Sequence, residues 1–548
     1  MKKFKLLFYL ISISILTTQH SGAQIEKKFL SKKKELTEEQ LRNWHLLDYQ
    51  QDTIPGISIN KAYEKLLKNQ EGKEVVVAVL DTKFDIYQED LKDQIWVNTK
   101  EIPDNGIDDD KNGYVDDVNG WDFISNSNGE HLKYQNRETI RILRYYDSIF
   151  KNDTMFKYSE AYKLYKRAEE VYDNELAKAQ KRKIKQDYWY YMYPKSQAVL
   201  KLLFKEKEYT KEQIDSLYKL YKDNTYVASD IQYMQYFMEY NKTVEGIKQD
   251  FDKRSDELNI KYNKNHDDRQ LIGDDANNLN DRQYGSNKVY GNVPLQHATR
   301  VAGVAFASRR NNIGINGITD QVKIMPVVMV ANGDEHDKDV ALAIRYAVDN
   351  GAKIINMSFG KLEFSLHPEW VLDALKYAEK HDVLVINLAG NENTNIDITK
   401  HYPTDMIDNI EIVSNFIKVG AINYKIEKGL KTSFSNYGKK NVDIFAPGEY
   451  IYTTETNNTY DYSKGTSFAA PIVAGVAALI RSYYPELSAK QIKQIILNSG
   501  TDYITNVDLK LDNGDTKSVK FSELSKSGKV VNAYHALLMA EKVSSQRD

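Results

Sequence analysis

The chain has 548 residues, 41% of them hydrophobic and 28% charged, a composition able to bury a sizeable core. A formal net charge of −3 gives no electrostatic case for nucleic acid as a partner. There is no cysteine, which excludes disulfides, thiolate catalysis, Cys-ligated zinc and a cysteine-borne lipid anchor.

The opening segment MKKFKLLFYLISISILTTQHSGAQ has a basic start, an apolar stretch over 6–16 and small residues ending at Ala23. It predicts a signal peptide over 1–23, so export to the periplasm or the exterior is expected. The apolar stretch falls short of the ~20 residues a spanning helix needs, and no membrane span is expected in the mature chain. Residues 24–50 form a short extension rich in Lys and Glu, where Thr37 and Gln40 make a capping box that predicts an exposed helix. That extension is too short for a separate folding domain, so folding without one is expected.

A first part of an α/β domain is expected over 51–134. EVVVAVL (74–80) is an apolar β-branched run of the kind buried on both faces of a parallel sheet. NGIDDDKNGYVDDVNGWDF (105–123) places Asp108, Asp110, Asn112, Gly113 and Asp116 at positions 1, 3, 5, 6 and 9 of a calcium-type loop. Tyr114 would add its carbonyl at position 7. Position 12 is Asn119 rather than Glu, so Asp117 or Asp122 would have to replace the usual last ligand. A structural Ca²⁺ ion is expected there.

Residues 135–270 change character, holding 18 of the chain's 39 tyrosines and almost no Gly or Pro. Apolar residues at helical spacing (Ile214, Leu217, Tyr218, Tyr221) and a capping box at Thr210 and Gln213 predict an all-α insertion, a helical hairpin or small bundle. Its basic cluster, Lys181 to Lys185, reads as a solvated helix face. The insertion either caps a cleft, docks a partner or is a size variation without a site. From 271 to 548 strands and helices alternate: strand 323–330, helix 338–350, strand 352–358, helix 369–381, strand 382–388. That alternation predicts a three-layer α/β fold, a parallel sheet with helices on both faces.

GTSFAAPIVAGVAALI (465–480) puts Ser467 between a glycine and a small-residue helix, where it is either a helix cap or a nucleophile. A serine hydroxyl needs a base, and a histidine base needs a carboxylate to hold its tautomer. Asp81 ends the first buried strand, at the carboxyl edge where sites form in such sheets. His297 opens a small-residue helix, and Asn391 follows the strand VLVINL with an amide able to meet an oxyanion. The Ser467 N–H, at a helix N-terminus, offers a second donor.

The blocks VVVAVLDTKFD, HATRVAGVAFA, VINLAGNEN and GTSFAAPIVAGVAALI together resemble the four signatures of the subtilisin-like serine peptidases. The order Asp81, His297, Ser467 is that family's order. The resemblance implies that Asp81 orients His297, that His297 is general base and then acid, and that Ser467 forms an acyl-enzyme. It implies Asn391 as oxyanion donor and a peptide or protein substrate paired, as an added strand, with Ser358, Phe359 and Gly360 of NMSFG. An α/β-hydrolase is excluded: its nucleophile elbow would read G-x-S-x-G, whereas this one reads GTSFA, and only His535 follows the serine.

Three positions depart from the family's pattern. Lys83 and Ala298 stand where glycine is usual, and Arg300 replaces a second histidine. A Cβ on Ala298 would crowd the site if the backbone there required glycine. A catalytically impaired protein that binds peptides or a partner is the alternative expectation.

Overall fold

The computed structural model describes residue 32 and residues 34–151, 158–204, 209–291, 297–511 and 514–546. The expected signal peptide lies outside the described residues.

Seven parallel strands form the central sheet. In chain order they are β1 (Val75–Asp81), β2 (Trp121–Asp122), β3 (Val322–Val328), β4 (Ile354–Met357), β5 (Leu384–Leu388), β6 (Phe416–Ile422) and β7 (Ile444–Pro447), arranged β7-β6-β5-β4-β1-β3-β2. β1, β3, β4 and β5 are buried almost throughout, as their mostly apolar, Val- and Ile-rich runs require when both faces are covered. Pro326 interrupts β3, yet the strand survives. On its outer side lie only the two-residue β2 and the loop segment whose Trp96 N–H donates to the Ile324 carbonyl (2.7 Å), so no long ladder is broken.

Among the described residues the insertion holds five α-helices: α1 (Glu138–Phe150), α2 (Glu160–Leu203), α3 (Lys211–Tyr221), α4 (Thr225–Glu239) and α5 (Val244–Asp256). α6 (His297–Phe306) and α9 (Thr466–Tyr483) pack on each other and on the sheet, while α7 (Asp337–Asp349) and α8 (Pro368–Lys380) form a second pair on it. Helices α10 (Ala489–Ser499) and α11 (Ala533–Ser545) follow, packed on α9. Both predicted capping boxes, at Thr37/Gln40 and Thr210/Gln213, are present. The N-terminal extension is less separate than its composition suggests. Trp44 is fully buried in the main core and its Nε1 donates to the Glu449 and Tyr450 carbonyls (3.2 and 3.0 Å).

The insertion has its own apolar contacts. Near its root Ile140, Leu143, Tyr165 and Tyr172 cluster with Phe364 of the sheet domain, and near its far end Leu200, Ile214, Ile231 and Met234 form a second cluster. Its buried tyrosines keep polar partners: the Tyr165 hydroxyl reaches Asp147 (2.8 Å) and that of Tyr172 reaches the Tyr262 carbonyl (3.2 Å). Of the basic cluster, Lys183 is not simply solvated; its ammonium lies 4.0 Å from the Phe251 ring centroid and pairs with Asp187. Entry and exit meet. Asn136 Nδ2 donates to the Ile260 carbonyl (2.7 Å), and Arg137 N–H to that of Lys261 (3.1 Å). Among the described residues one helix, α9, is long and apolar enough to cross a membrane, and it lies buried in the core.

Candidate active site

The sheet brings the three predicted residues to its carboxyl edge. Asp81 is the last residue of β1, only 1% exposed, and its Oδ1 accepts the Thr82 N–H (2.7 Å). His297 Nδ1 lies 2.9 and 3.0 Å from the two Asp81 oxygens, so Nδ1–H donates to the carboxylate and Nε2 is left to face the cleft. Burial works against the charged imidazole, but the charge and hydrogen bond of Asp81 outweigh it; the His297 pKa is raised above its ordinary value. His297 and Ser467 line one cavity of about 230 Å³.

Ser467 is the second residue of α9, within the first turn, where backbone N–H groups have no partner inside the helix. Gly465 precedes it at φ +142°, a backbone that side chains rarely adopt. The Ser467 hydroxyl donates to the Ser358 carbonyl (3.3 Å), and the Ser358 hydroxyl donates to the Ser467 carbonyl (2.8 Å). Pro471 explains why that second acceptor is available. It is the sixth residue of α9, beyond the first turn where a proline goes unnoticed, and its absent N–H is the one that would have bonded Ser467 O.

Asn391 sits beside the helix N-terminus. Its Oδ1 accepts from the Thr466 N–H (2.9 Å) and hydroxyl (3.0 Å), which leaves the Nδ2 amide as the end available to the cleft. Gly390, at φ +100°, brings the chain close: a Cβ there would fall 2.3 Å from Asn436 Nδ2 and 2.7 Å from His401 Nε2.

Ser358 to Gly360 continue from β4 along one wall. Phe359 turns its ring into the core and its carbonyl accepts Asn387 Nδ2 (2.9 Å), so it contributes backbone rather than side chain. The other wall, ending at Glu335, is held by the insertion. Arg141 of α1 donates to the carbonyls of Asp334 and Glu335 (both 2.8 Å), and Lys361 to that of Glu335 (2.9 Å). Glu335, Glu392 and His401 carry no local signal as cleft residues, because they come from loops whose convergence only the sheet order creates. Thr82 was also missed; its hydroxyl accepts the Ala298 N–H (3.0 Å) and ties the Asp81 turn to α6.

The three departures are accommodated. Ala298 is buried within α6 and is not among the described residues with positive φ, so its backbone does not require glycine. Lys83 is buried 3.5 Å from Asp122. Arg300 pairs with Glu455.

The acidic loop converges differently from its spacing. Glu101, Asp108 and Asp110 bring carboxylate oxygens within 4.8 Å of one another. Asn112 donates its N–H to Asp108 (3.0 Å) and accepts that of Tyr114 (2.8 Å) inside the loop, and the Tyr114 ring packs 5.0 Å from Trp121. Asp116 is not in the cluster. Its carboxylate accepts the Asn105 and Gly106 N–H groups (3.1 and 2.9 Å), closing the loop on itself. Neither proposed replacement for the last ligand is free: Asp117 accepts from Asn98, Asn112 and Tyr346, and Asp122 from His131. Glu101, seven residues before Asp108, joins that cluster, and its own carboxylate accepts the Asp110 and Asp116 N–H groups (both 3.1 Å).

A family model described as Subtilase family matches residues 72–516, and the chain belongs to that family. It is 38% identical over 187 residues to the thermophilic serine proteinase of Bacillus sp. (strain AK1), covering 34% of this chain and 42% of that one. It is 35% identical over 206 residues to the thermostable alkaline protease of Halalkalibacterium halodurans (37% and 52% covered). It is likewise 35% identical over 204 residues to thermitase of Thermoactinomyces vulgaris (37% and 66% covered). The chain spans about half the length of the curated relatives it matches.

Proposed function

We propose that this chain is an exported serine endopeptidase that hydrolyses peptide bonds through an acyl-enzyme. The observation that carries the reading is the pairing of His297 Nδ1 with both oxygens of Asp81 on the cavity that Ser467 also lines. In it Ser467 Oγ attacks the scissile carbonyl while His297 Nε2 takes its proton, and His297 returns that proton to the leaving amine. Asp81 holds the tautomer and offsets the imidazolium charge. The oxyanion is met by Asn391 Nδ2 and the Ser467 N–H. The peptide lies along Ser358 to Gly360, taking hydrogen bonds as an added strand. Labelling with a fluorophosphonate, beside a Ser467→Ala variant, tests this; folded wild type that resists the label would sink it.

One observation favours the binding-only alternative: the Ser467 hydroxyl donates to Ser358 rather than to His297. Hydrogen bonds at catalytic sites are often longer before substrate binds, and this one can turn by rotation about one bond. The same labelling decides between the two.

The convergence of Glu101, Asp108 and Asp110, with Asn112 beside them, supports a structural calcium ion, since hard cations take several oxygen ligands. Such an ion would stiffen a loop whose Tyr114 ring is already packed on the sheet domain. Export through the N-terminal segment is tested by sequencing the N-terminus of secreted protein. The hold of Arg141 on the Asp334 and Glu335 carbonyls supports a role for the insertion in shaping the cleft, ahead of its serving only to dock a partner.

A further inference from the structure

The cavity beside Ser467 has an uneven charge. Apart from His297, its ionisable lining groups are Glu335, Glu392 and His401. His401 is 3% exposed, and burial, with Lys418 behind it, holds it well below the ordinary histidine range, so it enters the cavity neutral. Its Cε1–Nε2 edge closes over Gly360 and Gly390. That leaves two carboxylates and no resident cation.

Glu335 is the more telling of the two. It is 6% exposed, and no ion pair engages its carboxylate among the described residues. The neighbouring cations are committed elsewhere. Lys361 binds the Glu335 carbonyl and pairs with Asp337 (2.8 Å) and Glu138 (3.2 Å). Arg141 binds the Asp334 and Glu335 carbonyls and pairs with Glu138. His336 is turned to Asp268 (2.9 Å). Glu392 accepts from Asn436 Nδ2 (2.6 Å) and also lacks an ion pair among the described residues. A buried carboxylate without a cation is an unfavourable arrangement that a ligand's charge can correct.

We propose that the cleft selects substrates carrying a lysine or arginine side chain near the scissile bond, whose charge is met by Glu335 and assisted by Glu392. This rests on the peptidase reading. A neutral side chain leaves Glu335 uncompensated, and an acidic one adds a like charge to the same open cleft. The wall that carries Glu335 is fixed through its backbone by Arg141 and Lys361. Burial, and then the charge of Asp334, push the Glu335 carboxyl up to about 7, against the opposing pull of Lys361 and Arg141. The selection therefore strengthens as pH rises through that range.

The experiment compares kcat/KM for fluorogenic peptides identical but for lysine, leucine or glutamate, placed in turn at each of the four residues before the cleaved bond. At one position lysine is expected to exceed leucine by at least about tenfold, the worth of a close charge pair. The lysine-to-leucine ratio, in which ionisation of His297 cancels, should rise with pH and fall toward one in Glu335→Gln, and less so in Glu392→Gln. Melting temperature checks that the variants fold. Equal rates for lysine and leucine at every position, or a ratio unchanged in both variants, overturn the proposal. If fluorophosphonate labelling shows the peptidase reading itself has failed, fluorescence anisotropy of the same peptides on the folded protein replaces the rates. Tighter binding of a lysine peptide then supports cation selection, and indifference overturns it.

Discussion

Ser358 and Ser467 hold one another reciprocally, each hydroxyl donating to the other's carbonyl, at 2.8 and 3.3 Å. The bond to the Ser467 carbonyl exists because Pro471 cannot supply the helical one. Ser358→Ala leaves that carbonyl without its partner, at about 1–3 kcal/mol of stability. We expect the denaturation midpoint to fall and kcat/KM to drop about tenfold. A variant with wild-type midpoint and rate would show the pair to be dispensable.

Asp81→Asn tests the orienting carboxylate. An amide presents either an N–H or an oxygen to His297 Nδ1 and no longer holds the imidazole with Nε2 free. The expected loss in kcat is about 10⁴-fold with little change in melting temperature. A loss below tenfold would place the orienting role elsewhere.

The pH profile should carry the mark of the same pair. His297 works only when Nε2 is unprotonated, and its pKa is raised. Activity therefore falls with acidification at a higher pH than for an ordinary histidine of pKa ~6.5. In Asp81→Asn the acid limb should move to lower pH as the favourable charge is lost. Coinciding limbs in the two proteins would contradict the assignment.

Calcium should raise the melting temperature, and a chelator should lower it. Asp108→Ala, Asp110→Ala and Glu101→Gln are each expected to abolish the gain, whereas Asp116→Asn should keep part of it because its carboxylate serves the loop backbone. Melting curves unmoved by chelator would remove the ion from the loop.

Arg141→Met removes one cation from a buried set that includes Glu138 and Asp268. Leaving such charges uncompensated costs about 3–5 kcal/mol. Because Arg141 also holds two carbonyls of the cleft wall, KM should rise more than kcat falls. Stability lost without any change in KM would confine Arg141 to anchoring the insertion.

The parallel sheet was legible because β1, β3, β4 and β5 are mostly apolar runs, broken by single residues such as Lys323, Asn356 and Asn387, and the candidate site because Asp81, His297 and Ser467 sit at a strand or helix end and Asn391 just beyond one. What was not legible depends on convergence. Glu335 and His401 meet in one cavity only because the strands are ordered β5-β4-β1-β3, which no local pattern encodes. The acidic loop shows the other limit. Spacing pointed to Asp108 and Asp110, which the loop does bring together, but whether Asp116 points inward is decided by its positive φ and by the Asn105 and Gly106 N–H groups it satisfies.

The insertion leaves and re-enters the sheet domain at one place, where Asn136 and Arg137 are bonded to Ile260 and Lys261. To the sheet, more than a hundred residues therefore look like one tight turn. Beyond that junction the insertion still touches the sheet domain, through Tyr165 and Tyr172 in the cluster with Phe364 and through Arg167 paired with Glu363 (2.8 Å), so its root is tied down while its far cluster packs on itself.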